Sequence, residues 1–180
     1  MRKAGVLVAL VLLLLFGTLF IRRRRRQGLG RVDRKLRPPK IRIVYSRKIK
    51  ASERPQVTSA QEVVRILRAA WSAQIEIREE FMVLHLDQSN RVLGYQLLSK
   101  GGIAGTVADI RLIYAAALKS LAVAIIIAHN HPSGNLNPSQ SDRILTRRIK
   151  EAGEVLDIRL LDHIILTKET YYSFADNGDL

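Results

Sequence analysis

The chain has 180 residues and a formal net charge of +14, from 30 Lys and Arg against 16 Asp and Glu, which is room for one domain of ordinary size and an appendage. The excess is local: residues 1–50 hold 16 basic and 1 acidic residue, whereas residues 51–180 hold 14 basic and 15 acidic. With no cysteine, the sequence excludes disulfides, thiol catalysis, iron–sulfur clusters and every Cys-based zinc site, so a bound metal would need His and carboxylates.

Ala4–Ile21 is an uncharged, Leu- and Val-rich run of 18 residues that as a helix spans roughly 27 Å, near the lower limit for crossing a bilayer core. Arg22–Arg26 follow at once, where a signal peptide would carry a small-residue cleavage site. The larger basic cluster should stay inside. This predicts a single transmembrane helix in the inner (cytoplasmic) membrane, with the remainder in the cytoplasm. The competing reading is a start codon set too far upstream, which would leave a cytoplasmic protein. Residues 22–40 are basic and close on Pro38-Pro39, a linker that would lie against anionic lipid or, less favoured by its position, nucleic acid.

Ile41–Arg47 alternates as an edge strand does. Thr58-Ser59-Ala60-Gln61 reads as a capping box, with Val63, Val64, Ile66, Leu67 and Ala70 as the buried stripe of the helix it opens. Phe81–Asp87 and Arg91–Ser99 form a hairpin through Gln88-Ser89-Asn90. Gly101, Gly102 and Gly105 mark a loop that lacks the Lys-Ser/Thr of a phosphate cradle. Asp109–Leu121 is helical, and Ala122–Ala128 is a central strand covered on both faces. Ser139–Leu156 is again helical, and Ile158–Leu160, Ile164–Thr167 and Tyr171–Phe174 are short strands. The fold class is α/β, a mixed sheet flanked by helices. The domains run 1–21 (anchor), 22–56 (linker with the possible edge strand) and 57–180 (globular).

The chemistry concentrates in His129-Asn130-His131-Pro132-Ser133-Gly134 and Pro138-Ser139-Gln140-Ser141-Asp142. His129 and His131 stand at i and i+2 in extended chain and share a side. Ser139 and Asp142 share a face at a helix start, and the intervening turn folds them back towards the histidines. Two imidazoles and a carboxylate make a three-ligand zinc set with a fourth position open, the mark of a catalytic site. Taken singly, His-x-His is more often structural, and Ser139-x-x-Asp142 is most simply a helix cap.

His129-x-His131-x7-Ser139-x2-Asp142 resembles the complete signature of the JAMM (MPN+) metalloproteases. With Asp162-His163-Ile164-Ile165 downstream, the chain is similar to their bacterial RadC branch over roughly residues 57–176. The resemblance implies a deaminase-like fold. It makes His129, His131 and Asp142 zinc ligands and Ser139 an oxyanion stabiliser. It makes Glu79, from Arg78-Glu79-Glu80-Phe81, the general base, with Glu80 the runner-up because adjacent strand residues point to opposite faces. The implied reaction is zinc-dependent hydrolysis of an amide or isopeptide bond in an unidentified protein or peptide.

Zinc deaminases and thermolysin-type enzymes need motifs that this sequence lacks. The rival from another class is a DNA-associated accessory module, in line with the repair role attached to RadC proteins. Their helix–hairpin–helix segment has no obvious counterpart here, and the near-neutral globular part lacks a basic face. His85 and His163 read as satisfied core or surface histidines, or as partners behind the ligands. Trp71, Tyr171 and Tyr172 read as packing residues.

Overall fold

In the computed structural model, residues 49–101 and 108–180 are described. Five strands form one sheet in the order β2-β1-β3-β4-β5. β1 (Glu80–Leu86) and β2 (Val92–Lys100) pair antiparallel. Their turn is tied by Asp87 Oδ1, which accepts from the amides of Ser89 and Arg91 at 3.0 Å each, and Asn90 takes a φ of 55°. β1 also pairs antiparallel with β3 (Ala124–Asn130), with Phe81 opposite His129. β3 runs parallel to β4 (Arg159–Leu166), and β5 (Tyr171–Ser173) closes the other edge antiparallel to β4.

Every residue of β1 and β3 is buried, because helices cover the sheet on both sides. Strand alternation divides their side chains between two cores. Met82, Leu84, Leu86, Ala124, Ile126 and Ala128 pack with Val63, Val64 and Leu67 of α1 (Ala60–Ala70). Phe81, Val83, Ile125 and Ile127 pack with Ile113, Tyr114 and Ala117 of α2 (Ile110–Ser120) and Ile149 of α3 (Gln140–Val155).

Two expectations need correction. The cap of α1 sits one residue later than Thr58: Ser59 is the N-cap, and Glu62 reaches back to the Thr58 amide at 2.7 Å. Ile158–Leu160 and Ile164–Thr167 are not separate strands but parts of one, β4, with a register shift opposite Ile125/Ile126. The polar pair Asp162-His163 looks like a break in sequence, yet both residues are buried within the strand with their polar atoms bonded. The edge strand expected at Ile41–Arg47, the apolar run Ala4–Ile21 and the loop glycines Gly102 and Gly105 lie outside the described residues. Among the described residues no helix is long and apolar enough to cross a membrane.

Candidate metal centre

β3 carries the site at its C-terminal end. His129 occupies its sixth position on the α2/α3 face, and the next peptide turns Asn130 to the other face. His131 leaves the strand with its amide still bonded to Leu166 O at 2.9 Å, which keeps the extended geometry and brings its ring to the side of His129. The chain then reverses: Gly134 N donates to His131 O at 3.1 Å, and its φ of 79° is one that a side chain would strain. Ser139 then caps α3 in a reciprocal capping box. Its Oγ accepts from Asp142 N at 3.1 Å, while Asp142 Oδ2 accepts from Ser139 N at 2.7 Å.

The result is a cluster of three donor atoms from two elements. His129 Nε2 and His131 Nε2 are 3.0 Å apart, Asp142 Oδ1 is 3.4 Å from His129 Nε2, and Oδ2 is 3.8 Å from His131 Nε2. Ligands about 2.0–2.1 Å from a tetrahedral zinc are separated by roughly 3.3–3.4 Å, so the spacing suits a small divalent ion. His129, His131 and Asp142 also form the one group among the described residues whose ligand atoms all lie within 4.8 Å of one another.

Protonation makes the fit stronger. His131 Nδ1 lies 2.6 Å from the carbonyl of Asn135, which can only accept, so in the neutral ring the proton sits on Nδ1 and Nε2 carries the lone pair. Burial holds His129 well below the ordinary histidine range; Asp142 opposes that shift and His131 adds to it. Burial likewise keeps His163 neutral, helped by His129 and His131. The site therefore gathers lone pairs and a carboxylate, a donor set that a cation completes.

Ser139 is the helix cap that its spacing from Asp142 suggests. Its hydroxyl donates to Asp142 Oδ2 at 2.6 Å and lies 2.7 Å from Ser141 Oγ, so it orients the carboxylate. Glu79 precedes β1, half-buried, with its carbonyl accepting from Gly101 N at 2.7 Å. By strand alternation it falls on the face of Phe81 and His129. Glu80 falls on the opposite face, fully buried, where Oε1 meets Ser72 Oγ at 2.9 Å and Lys100 Nζ at 3.4 Å.

Nothing in the sequence marks Asn130. Its Oδ1 accepts from Glu80 N at 2.7 Å, and its Nδ2 donates to the carbonyls of Ile75 and Arg78 at 2.6 and 2.9 Å. It thus fixes the backbone on both sides of Glu79. Thr146 escapes sequence reasoning too; its place four residues after Asp142, on the same helix face, is the available signal. Of the two histidines left open, His163 lies behind His129, with Nε2 2.8 Å from His129 Nδ1. His85 sits in β1 opposite Ile125 and Gly94 with neither ring nitrogen bonded. Trp71 and Tyr171 pack against the α1-side core, as expected, and the Tyr172 hydroxyl bonds Asp179.

Comparison with known proteins places the chain among relatives. The profile of the RadC-like JAB domain matches residues 57–179. A UPF0758 protein of Flavobacterium johnsoniae is 55% identical over 100 residues, covering 56% of this chain and 44% of the relative. Another, from Porphyromonas gingivalis, is 42% identical over 135 residues, 74% of this chain and 60% of the relative. UPF0758 protein YfjY of Escherichia coli is 44% identical over 101 residues, 56% of this chain and 63% of the relative. The chain thus spans about half to under two thirds of the length of these relatives.

Proposed function

The chain belongs to the RadC-like JAB domain family, and from that premise we propose that it is a zinc-dependent hydrolase of amide or isopeptide bonds. One observation carries the reading: His129, His131 and Asp142 present acceptor atoms to one another 3.0 to 3.8 Å apart. A zinc ion held by these three would supply a Lewis acid and water activated near neutral pH.

The remaining work falls to the chain's own groups. Glu79 accepts the proton of the attacking water. It then returns that proton to the departing amine nitrogen. The Ser139 hydroxyl donates to the oxyanion after rotating away from Asp142 Oδ2, which the Ser139 amide still holds. The substrate is a protein or peptide. Ala4–Ile21 anchors the chain in the inner membrane with the site on the cytoplasmic side, and the basic residues that follow lie on anionic lipid.

Elemental analysis of the purified full chain tests the metal reading. Near one zinc per chain is expected, lost in His129→Ala, with peptide or isopeptide cleavage lost in parallel. Absence of zinc after reconstitution would sink it. Recovery of the native protein solely in the soluble fraction would sink the anchor, and tight, salt-sensitive DNA binding without hydrolysis would favour the accessory-module reading.

A further inference from the structure

His163 and Thr146 lie behind the metal cluster in an unbroken line of short contacts. Thr146 Oγ1 is 2.7 Å from the carbonyl of Asp142, four residues earlier in α3, and 2.6 Å from His163 Nδ1. His163 Nε2 is 2.8 Å from His129 Nδ1. Thr146 is 3% exposed, His163 0% and His129 4%, so water does not compete for these atoms. Phe174 stacks on His163 with ring centres 4.6 Å apart, and Asp162, bonded to Ser173 and to the amides of His163 and Ala175, locks the backbone on both sides of that stack.

The line has one direction. A hydroxyl has one proton, and a carbonyl has none to give. Two buried oxygens 2.7 Å apart repel unless a proton lies between them, so the Thr146 proton is committed to the Asp142 carbonyl. Thr146 Oγ1 must then accept from His163 Nδ1–H. A neutral ring has a single N–H, so His163 Nε2 is bare and accepts from His129 Nδ1–H. The last member of the line, His129 Nε2, is bare and aimed at His131 and Asp142.

We propose that Thr146 and His163 are positioning residues that hold His129 in the one tautomer able to bind a metal through Nε2, with the main-chain carbonyl of Asp142 as the fixed end of the relay. The relay starts on one ligand residue and ends on another, so it sets the proton on His129 and the placement of α3 against β3 together. His131 gets the same setting from Asn135 O, whereas the Nδ1 of His129, inside the sheet, meets the side chain of His163. The inference rests on the reading of His129 as a ligand.

Long-range proton–nitrogen NMR of the metal-free full chain reads the tautomer directly, and competition with a chelating dye reads zinc affinity. In the wild type the proton of His129 is expected on Nδ1. Thr146→Val should shift His129 towards a mixture of tautomers and weaken zinc binding by roughly 10- to 100-fold, the range found for partners of metal-bound histidines. Thr146→Ser should restore both. Should Thr146→Val fail to fold, His163→Leu against His163→Gln makes the same contrast, because the glutamine amide oxygen can accept from His129 Nδ1–H. A His129 proton on Nε2 in the wild type overturns the relay. So does a Thr146→Val chain with wild-type tautomer and affinity. Failure of the ligand reading shows differently: His129→Ala would then bind zinc as tightly as the wild type.

Discussion

His129 and Asn130 are neighbours at the end of β3, and they serve the two faces of the sheet in opposite ways. Asn130 meets complementary partners: its oxygen takes one amide, and its nitrogen supplies two carbonyls. That arrangement is complete in itself and holds backbone. On the other face, His129, His131 and Asp142 turn acceptors towards acceptors. One strand away, Glu79 and Glu80 divide between the same two faces, with Oε1 of Glu80 bonded to Ser72 and Lys100. His129 and Asn130 are both polar and both buried. The direction of the protons tells a structural cluster from a site that needs a ligand.

The two glutamates offer the largest test of that contrast. Glu79→Gln should lower turnover by about 10²–10⁴-fold while zinc content stays at one per chain. Glu80→Gln should cleave at near the wild-type rate in the same assay, and equal losses in both would erase the distinction between the faces.

Metal comes next in size. Zinc at a hundred times its Kd should stabilise the fold by about 2.7 kcal/mol, seen as a rise in Tm that a chelator reverses and that Asp142→Asn abolishes. A zinc-induced rise that survives in Asp142→Asn would place the ion elsewhere. Asn130→Ala leaves a buried amide and two carbonyls without their partner, and denaturant melts should show a loss of about 1–3 kcal/mol with little change in zinc affinity. A fall in affinity as large as the fall in stability would mean that the faces are not separable.

A pH-dependent test concerns His85, a buried histidine outside the site, whose pKa burial lowers to about 4. The folded protein keeps it neutral, while the unfolded chain binds a proton below about pH 6.5. Its share of stability is full above that pH and drains as pH falls towards about 4, by up to about 1.4 kcal/mol per unit. His85→Leu should flatten this part of the acid limb in pH-dependent melts; an unchanged slope would mean that the ring is already solvated.

The elements were largely legible because their signals are local. Val63, Val64 and Leu67 fall at helical spacing and are buried, and the β1–β2 turn announces itself in Gln88-Ser89-Asn90. The cluster of His129, His131 and Asp142 was legible because both pairs, His129 with His131 and Ser139 with Asp142, sit close in sequence. β4 was misread where its meaning is tertiary: Asp162 and His163 are tolerated inside a strand because Ser173, Thr146 and His129 supply their partners. Asn130 was passed over for the same reason, since what it holds lies about fifty residues away.

Gly153 near the end of α3 carries one more consequence. A Cβ there would collide with the carbonyl of Ile158 and lie 2.6 Å from the Tyr114 hydroxyl, so the helix can hand over to β4 within three residues only because this position is bare. That makes the connection a ruler. One residue inserted or deleted between Val155 and Arg159 would slip β4 by one place and send His163 to the other side of the sheet. Length variation should therefore be tolerated in the β1–β2 turn and forbidden here, although this connection supplies none of the clustered residues His129, His131 and Asp142.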